Sequence, residues 1–343
     1  MKALVLEEYG KVVIKDVPKP QVSGNRVLIK IEACSICGSD VHGFDGSSGR
    51  RQPPLIMGHE AAGVIEEIGR QATGFVPGDR VTFDSSEYCG KCSFCAKGKS
   101  NLCTTGKVFG VSCDTYHKDG AMAQYITVPD YSVYKIPDEV SFVEAAMAEP
   151  LSVALHAINL TDIKLGDTAI IFGAGTIGSM LLKLMKISNC ASVIMVDIDD
   201  LKLDLAKKTG ADICINSAKE DVVERVMQIT NFQGADVAFE AVGITQTVTA
   251  GIESLKKCGI LTLLGNVSRM IDFPLQKTVV KELSIVASCA VTTEYERSLK
   301  LIGMGKIDVK DIVSQIVPIE RGQEMFDRLH DGEKGLIKVV LTL

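Results

Sequence analysis

Before about residue 150 the apolar runs of this chain are short, often alternate with polar positions, and end at glycine, proline or charge. Val27, Ile29 and Ile31 are interleaved with Leu28, Lys30 and Glu32; Gly78-Asp79-Arg80 precedes Val81-Thr82-Phe83; Tyr125 to Val128 stops at Pro129. A period of two, cut by turn residues, predicts short strands. Residues 1–152 are therefore expected to form a small β-barrel-like domain.

From about Lys164 the texture changes. An apolar strand at Thr168 to Phe172 is followed by a helical stretch to about Ser188 and a strand at Ser192 to Val196. Further strands are expected at Asp212 to Ile215, Val237 to Glu240, Ile260 to Leu264 and Ser284 to Ala287. Six strands alternating with helices predict an α/β, doubly wound parallel sheet over residues 153–290. The tail, with helices around Tyr295 to Met304 and Glu320 to His330 and a strand at Ile337 to Leu343, breaks that rhythm. Residues 291–343 are expected to return to the first domain.

A chain of 343 residues is too long for one ordinary core, which agrees with two domains. The net charge of -6 offers no pull toward phosphate backbones or anionic lipid, so no nucleic-acid partner and no membrane partner are expected. MKALVLEEYG meets two acids before any long apolar stretch can form, unlike a secretory leader, and the apolar window Thr168 to Ile187 is broken by three glycines, Lys183 and Lys186. A cytoplasmic location is expected. There, eleven cysteines point to metal or catalysis before disulfides.

Gly173-Ala174-Gly175-Thr176-Ile177-Gly178 follows one predicted strand and opens a helix, the context a dinucleotide loop requires. Gly173 permits the turn, Gly175 lets backbone approach a pyrophosphate, and Gly178 lets helix and strand pack closely. Asp197 ends the next strand, where an acid accepts hydrogen bonds from ribose hydroxyls. With Asp199 and Asp200 it repels a 2′-phosphate, so the expected cofactor is NAD.

Cys89, Cys92, Cys95 and Cys103 put four sulfurs in fifteen residues, the spacing of a closed tetrahedral zinc site. With no position left for substrate, that zinc is structural. A second constellation is open: Cys37 and His59 each sit among polar neighbours, and Glu60 and Glu149 offer carboxylates. Cysteine, histidine, carboxylate and one exchangeable position describe a catalytic zinc.

CGSDVH at 37–42, GHEAAG at 58–63 with Gly69 later, GDRV at 78–81, the quartet, EPLSV at 149–153 and GAGTIG at 173–178 together resemble the zinc-containing medium-chain dehydrogenases, essentially end to end. CGSDVH and EPLSVALHA are most similar to the sorbitol and iditol dehydrogenase branch and the related galactitol-phosphate dehydrogenases. The resemblance implies a GroES-like β-barrel catalytic domain and a Rossmann coenzyme domain. It implies two zinc ions per subunit, with Cys37 and His59 on the catalytic one and Glu60 or Glu149 supplying its carboxylate. Asp40 would orient His59, while Ser39 and His42 would relay the hydroxyl proton. Lys202 would contact the adenosine ribose. Leu264, Gly265 and Asn266, with Ser288, Cys289 and Ala290, would line the nicotinamide pocket.

The implied activity is hydride transfer from a secondary alcohol of a polyol, free or phosphorylated, to NAD+. L-threonine and 2,3-butanediol are the alternative substrates, and a non-catalytic zinc-bearing structural protein is the alternative of another class. Where several polyol enzymes of the family carry an arginine and a tyrosine that grip substrate hydroxyls, this chain has Ala290 and Val291, which counts against sorbitol itself. The family also implies a homo-oligomer, a dimer or tetramer.

Overall fold

In a computed structural model, which describes residues 1–188 and 190–343, the eleven-residue strand Arg26–Ile36 is the hub of a seven-stranded sheet. It pairs antiparallel with Glu60–Ile68, Tyr125–Pro129 and Lys338–Thr342, and Arg80–Phe83, Val133–Lys135 and Val313–Pro318 extend the sheet. A second sheet of Lys11–Asp16, Lys2–Glu8 and Leu55–Ile56 closes over the same core. Val27, Ile29 and Ile31 are buried and Lys30 is exposed, as the period of two requires. Leu28, on the other face, is buried as well. These elements belong to one compact unit, Met1–Ser152 with Val291–Leu343.

The other unit, Val153–Ala290, is a six-stranded parallel sheet. Its spatial order is Ile213–Asn216, Ser192–Asp197, Thr168–Phe172, Ala235–Glu240, Leu255–Leu263, Ser284–Ala287. Numbered along the chain that is 3-2-1-4-5-6, the order of dinucleotide-binding sheets. Ala169, Ile170, Ile171 and Phe172 are all buried, because a central parallel strand is covered on both faces and so reads as an unbroken apolar run. Helix Thr176–Ile187 follows the first strand. Asp199 and Asp221 cap the next two helices, Asp200–Lys208 and Val222–Ile229, by accepting from the N–H groups of Leu201 and Glu224. The expected α/β class with a doubly wound sheet is therefore observed.

Several boundaries differ from the sequence reading. The fifth strand starts at Leu255 rather than Ile260, since Lys256, Lys257 and Cys258 show no apolar alternation; Cys258 has φ +60 and its N–H bonds to the Lys281 carbonyl at 2.8 Å. The helix expected from Glu320 starts at Gly322, after a 3-10 turn at Ile319–Arg321. A seven-residue helix, Gly38–Phe44, was not anticipated. Among the described residues, no helix is long and apolar enough to cross a membrane.

Candidate metal centres and cofactor loop

Strand register brings the first donor set together. Strands Arg26–Ile36 and Glu60–Ile68 run antiparallel with Ser35 opposite Glu60. Cys37 follows the end of one strand and His59 precedes the start of the other, so residues 22 apart in sequence leave the same end of the sheet. Sulfur, imidazole nitrogen and carboxylate oxygen of Cys37, His59 and Glu60 all lie within 4.8 Å of one another. Donors around a tetrahedral zinc are about 3.5 Å apart, so the group needs little movement to take one. The mix of thiolate, imidazole and carboxylate suits zinc chemically. Gly58 makes the approach possible: it has φ +93, and a Cβ there would lie 2.8 Å from Cys34 Sγ and 2.7 Å from Met122 Cγ.

Buried charge surrounds these donors. Asp40 accepts from the Cys37 N–H and twice from Arg51, at 3.3 Å each, and its Oδ1 lies 3.4 Å from His59 Nδ1. That approach is too poorly aligned for a hydrogen bond, and His59 Nδ1 has no other partner. Burial alone would raise the Asp40 pKa, but His59 and Arg51 outweigh it and hold the carboxyl at about 2. Burial likewise disfavours charge on His59, yet the charges of Asp40 and Cys37 push its pKa well up. Glu60 Oε2 accepts from Lys338 Nζ at 2.6 Å and from the Ser35 hydroxyl, which leaves Oε1 as the oxygen available to an ion. Lys338 Nζ also donates to the Ile36 carbonyl at 3.0 Å and is 1% exposed.

Glu149, in helix Ala148–Leu160, is buried but outside the group within 4.8 Å. Burial, and then the charge of Glu60, push its carboxyl up to about 8. Ser39 and His42 lie three residues apart on helix Gly38–Phe44 and so share a face, Ser39 being exposed. No hydrogen bond joins them. Arg51, Ser35 and Lys338 escaped the sequence reading. A lysine inside the apolar run Ile337 to Leu341 was the one available signal, while nothing near Arg51 or Ser35 marks either residue.

The four quartet sulfurs lie within 4.8 Å of one another in a loop with 3-10 turns at Cys95–Lys97 and Ser100–Leu102. Backbone N–H groups point at sulfur: Cys92 N donates to Cys89 Sγ and Cys89 N to Cys103 Sγ, both at 3.3 Å. The N–H groups of Cys95 and Thr104 lower the Cys92 thiol to about 5. Burial, and then Cys92 and Cys103, push Cys95 up to about 12. Thiolates crowded this closely repel one another until a cation joins them, and none of the four is in a disulfide. They fit a closed zinc site.

In the parallel-sheet unit, Gly173 has φ +96 and a Cβ on Gly178 would lie 1.7 Å from the Gly173 carbonyl oxygen, so strand and helix touch through glycine. A Cβ on Gly175 would meet nothing within 4 Å. That open cradle at the N-terminus of helix Thr176–Ile187, with half-buried Ile177 beside it, fits a pyrophosphate. Asp197 Oδ2 accepts from the Ala174 N–H at 2.6 Å and Oδ1 from Ile198 and Asp199 at 2.8 and 2.9 Å, which ties the acid to the glycine loop. Lys202 is half-buried on helix Asp200–Lys208.

The N–H groups of Leu264 and Gly265 both bond to the Glu240 carbonyl at 2.9 Å, and Asn266 packs where a Cβ on Gly243 would be 2.4 Å from its nitrogen. The fully buried Glu240 side chain accepts from the N–H groups of Val242 and Gly243 and from the Thr247 hydroxyl, so one acid ties two strand-end loops together. Its place at a strand end three residues before a glycine could have flagged it in the sequence. Ser288 N donates to the Leu263 carbonyl at 2.9 Å and its buried hydroxyl has no partner; Cys289 is exposed and Ala290 has φ +53.

Comparison with known proteins adds the family. Residues 23–138 match the alcohol dehydrogenase GroES-like domain and residues 176–303 the zinc-binding dehydrogenase domain. Sorbitol dehydrogenase of Bacillus subtilis (strain 168) is 33% identical over 346 residues, covering 99% of this chain and 97% of the relative. Galactitol-1-phosphate dehydrogenase from Escherichia coli superposes with a TM-score of 0.92 at 26% identity over 100% of both chains. An alcohol dehydrogenase from Escherichia coli CFT073, solved with NADH, gives 0.92 at 28% identity over 100% of this chain and 99% of that one. With the domain matches falling on the segments that carry both donor sets and the helix after the glycine loop, and a relative aligned over nearly its whole length, this chain belongs to the zinc-dependent, nicotinamide-linked medium-chain alcohol dehydrogenases.

Proposed function

We propose that this enzyme oxidises a secondary hydroxyl of a polyol, free or phosphorylated, to the corresponding ketose with NAD+. The observation that carries the reading is the convergence of Cys37, His59 and Glu60 within 4.8 Å in a chain whose relatives include sorbitol and sugar-alcohol phosphate dehydrogenases. When bound, zinc supplies the Lewis acidity that makes an alcohol proton labile near neutral pH, and the nicotinamide supplies the hydride acceptor. The chain's own residues do the rest. Cys37, His59 and Glu60 would hold the ion, and Glu149 would provide a second carboxyl beside Glu60. Since His59 Nδ1 faces Asp40, Nε2 is left for the metal. Lys338 and Ser35 donate to Glu60 Oε2, which would leave Oε1 for the ion. The exposed Ser39 hydroxyl accepts the alcohol proton and passes it to His42 and then to solvent. A panel of free polyols, polyol phosphates, L-threonine and 2,3-butanediol, read by NADH absorbance, tests the substrate class; turnover of only the last two would refute it.

NAD is favoured over NADP because the fixed Asp197 carboxylate, with Asp199 and Asp200 following it, would face a 2′-phosphate as like charge. Asp197→Ala is expected to raise the ratio of kcat/KM with NADP to that with NAD about tenfold, worth about 1.4 kcal/mol. An unchanged ratio would move the ribose acid elsewhere.

A cytoplasmic location is supported by eleven cysteines, none of them in a disulfide. A homo-oligomer is supported by the edge strand Ser284–Ala287, which is paired on one side only, and by exposed Leu275, Val279, Val280 and Ile285 around it. Ile285→Asp should shift the sedimentation coefficient toward the monomer. A wild-type protein that is monomeric at every concentration would remove this part of the proposal.

A further inference from the structure

The reaction outlined above gives no role to Arg51, although its guanidinium is buried beside the metal donors, at 5% side-chain exposure against 0% for its partner Asp40. A buried guanidinium is costly unless its donors find acceptors. Here Nε and Nη2 both donate to Asp40 Oδ1 at 3.3 Å, Nη1 donates to the Arg50 carbonyl at 3.3 Å, and Nη2 also donates to the Ser39 hydroxyl oxygen at 3.2 Å.

Two features place the group. A Cβ on Gly43 would lie 2.0 Å from Arg51 Cγ and 2.6 Å from Arg51 Cβ, so the arginine stem crosses helix Gly38–Phe44 at a position that only glycine vacates. The backbone on either side is pinned by Ser112, whose N–H donates to the Arg50 carbonyl at 3.1 Å and whose carbonyl accepts from the Gln52 N–H at 3.0 Å.

We propose that Arg51 is a positioning residue for the alcohol proton's path: its guanidinium aims the Ser39 hydroxyl and holds Asp40 Oδ1, the carboxylate oxygen that faces His59 Nδ1 at 3.4 Å, so that the charge beside the imidazole stays in place. The proposal rests on the reading of Ser39 as the first acceptor of that proton. A guanidinium only donates, so the Ser39 oxygen accepts from it and the serine hydrogen must point to another partner. As a proton passes through Ser39, its oxygen gains one hydrogen and loses the other. A fixed cation at 3.2 Å favours the arrangement in which that oxygen carries more negative charge. Asp40 is held in the same act, because the oxygen that faces His59 Nδ1 is the one that receives both Arg51 bonds.

Lysine brings the same charge without the planar fork, so it can satisfy Ser39 or Asp40 but not fix both. The test uses Arg51→Lys, Gly43→Ala and Ser39→Ala in the full-length enzyme. Three readouts are taken: kcat and KM with whichever substrate of the panel wild type turns over, the solvent deuterium isotope effect on kcat, and zinc release to a chromogenic chelator, which needs no substrate. For Arg51→Lys, kcat should fall about tenfold with KM within about twofold, the isotope effect should rise, and zinc of the Cys37 site should leave about tenfold faster. Gly43→Ala should do the same by displacing the stem. Wild-type values of all three readouts in Arg51→Lys would overturn the proposal. If Ser39→Ala slows the reaction and Arg51→Lys does not, the fault lies with Arg51 alone; if Ser39→Ala leaves kcat and its isotope effect unchanged, the relay reading fails and takes the Ser39 half of the proposal with it.

Discussion

Cys37→Ser is expected to lower kcat/KM by about a thousandfold or more while leaving the chain folded with one zinc ion still bound. Among the described residues, Cys37, His59 and Glu60 are the only group of three or more donors within 4.8 Å of one another outside the quartet, so losing the thiolate leaves the ion two strong ligands. A serine hydroxyl is a poor substitute, since it binds as a neutral oxygen at neutral pH. Removing Lewis-acid stabilisation worth several kcal/mol corresponds to a loss of that size. The fold should survive. Cys37 lies just beyond the end of strand Arg26–Ile36 and is not a member of the buried apolar cluster of this unit, which Ile36 and Phe44 join on either side of it. Steady-state rates, circular dichroism and metal content on one preparation check the prediction. A variant with near wild-type rate would show that the catalytic ion is held elsewhere.

Cys92→Ser is expected to do the reverse, lowering Tm by about 5–10 °C and costing the other zinc, with little change in kcat for the molecules that remain folded. The N–H groups of Cys95 and Thr104 hold the Cys92 thiol at about 5, and its sulfur lies 3.5 Å from that of Cys95. The loop it closes has little core of its own: none of the four cysteines is fully buried, and Phe94 and Leu102 are exposed. A segment with so little apolar burial depends on its metal for order. Calorimetry with metal analysis decides the matter. If zinc is lost without a change in melting, the quartet does not stabilise the lobe.

The parallel sheet was legible because both of its faces are covered. Ile170, Ile171 and Phe172, and Val193 to Val196, form apolar runs that turn residues bound clearly, and the glycine loop follows at the position such a sheet predicts. The fifth strand was read short because its first half carries two lysines and a left-handed cysteine. In the other unit, helix Gly38–Phe44 gave no helical period, being seven residues long with glycine at its first position and again at Gly43. The candidate metal donors could be named from residue type, context and family resemblance, but which of Glu60 and Glu149 gathers with Cys37 and His59 could not. Strand register puts Glu60 opposite Ser35 and beside Cys37, whereas nothing local in Glu149-Pro150-Leu151-Ser152 fixes a distance.

The polar shell was hidden for a related reason. Lys338 and Glu60 are 278 residues apart and meet only because the C-terminal strand Lys338–Thr342 lies against Arg26–Ile36, with Val339 opposite Ile36. Arg51 is eleven residues from Asp40, yet the contact requires Gly43 to lack a side chain, a three-body condition with no pairwise trace in sequence.

The central claim is that one of two zinc ions, on Cys37, His59 and Glu60, carries the reaction. The most direct measurement is metal content followed against activity during stepwise chelation of the wild-type enzyme. Two zinc equivalents per chain are expected, with NADH formation lost as the more labile one leaves, Tm nearly unchanged at that stage, and the rate restored by added zinc. A chain that holds a single equivalent, or that keeps its full rate after the labile ion has gone, would contradict the account.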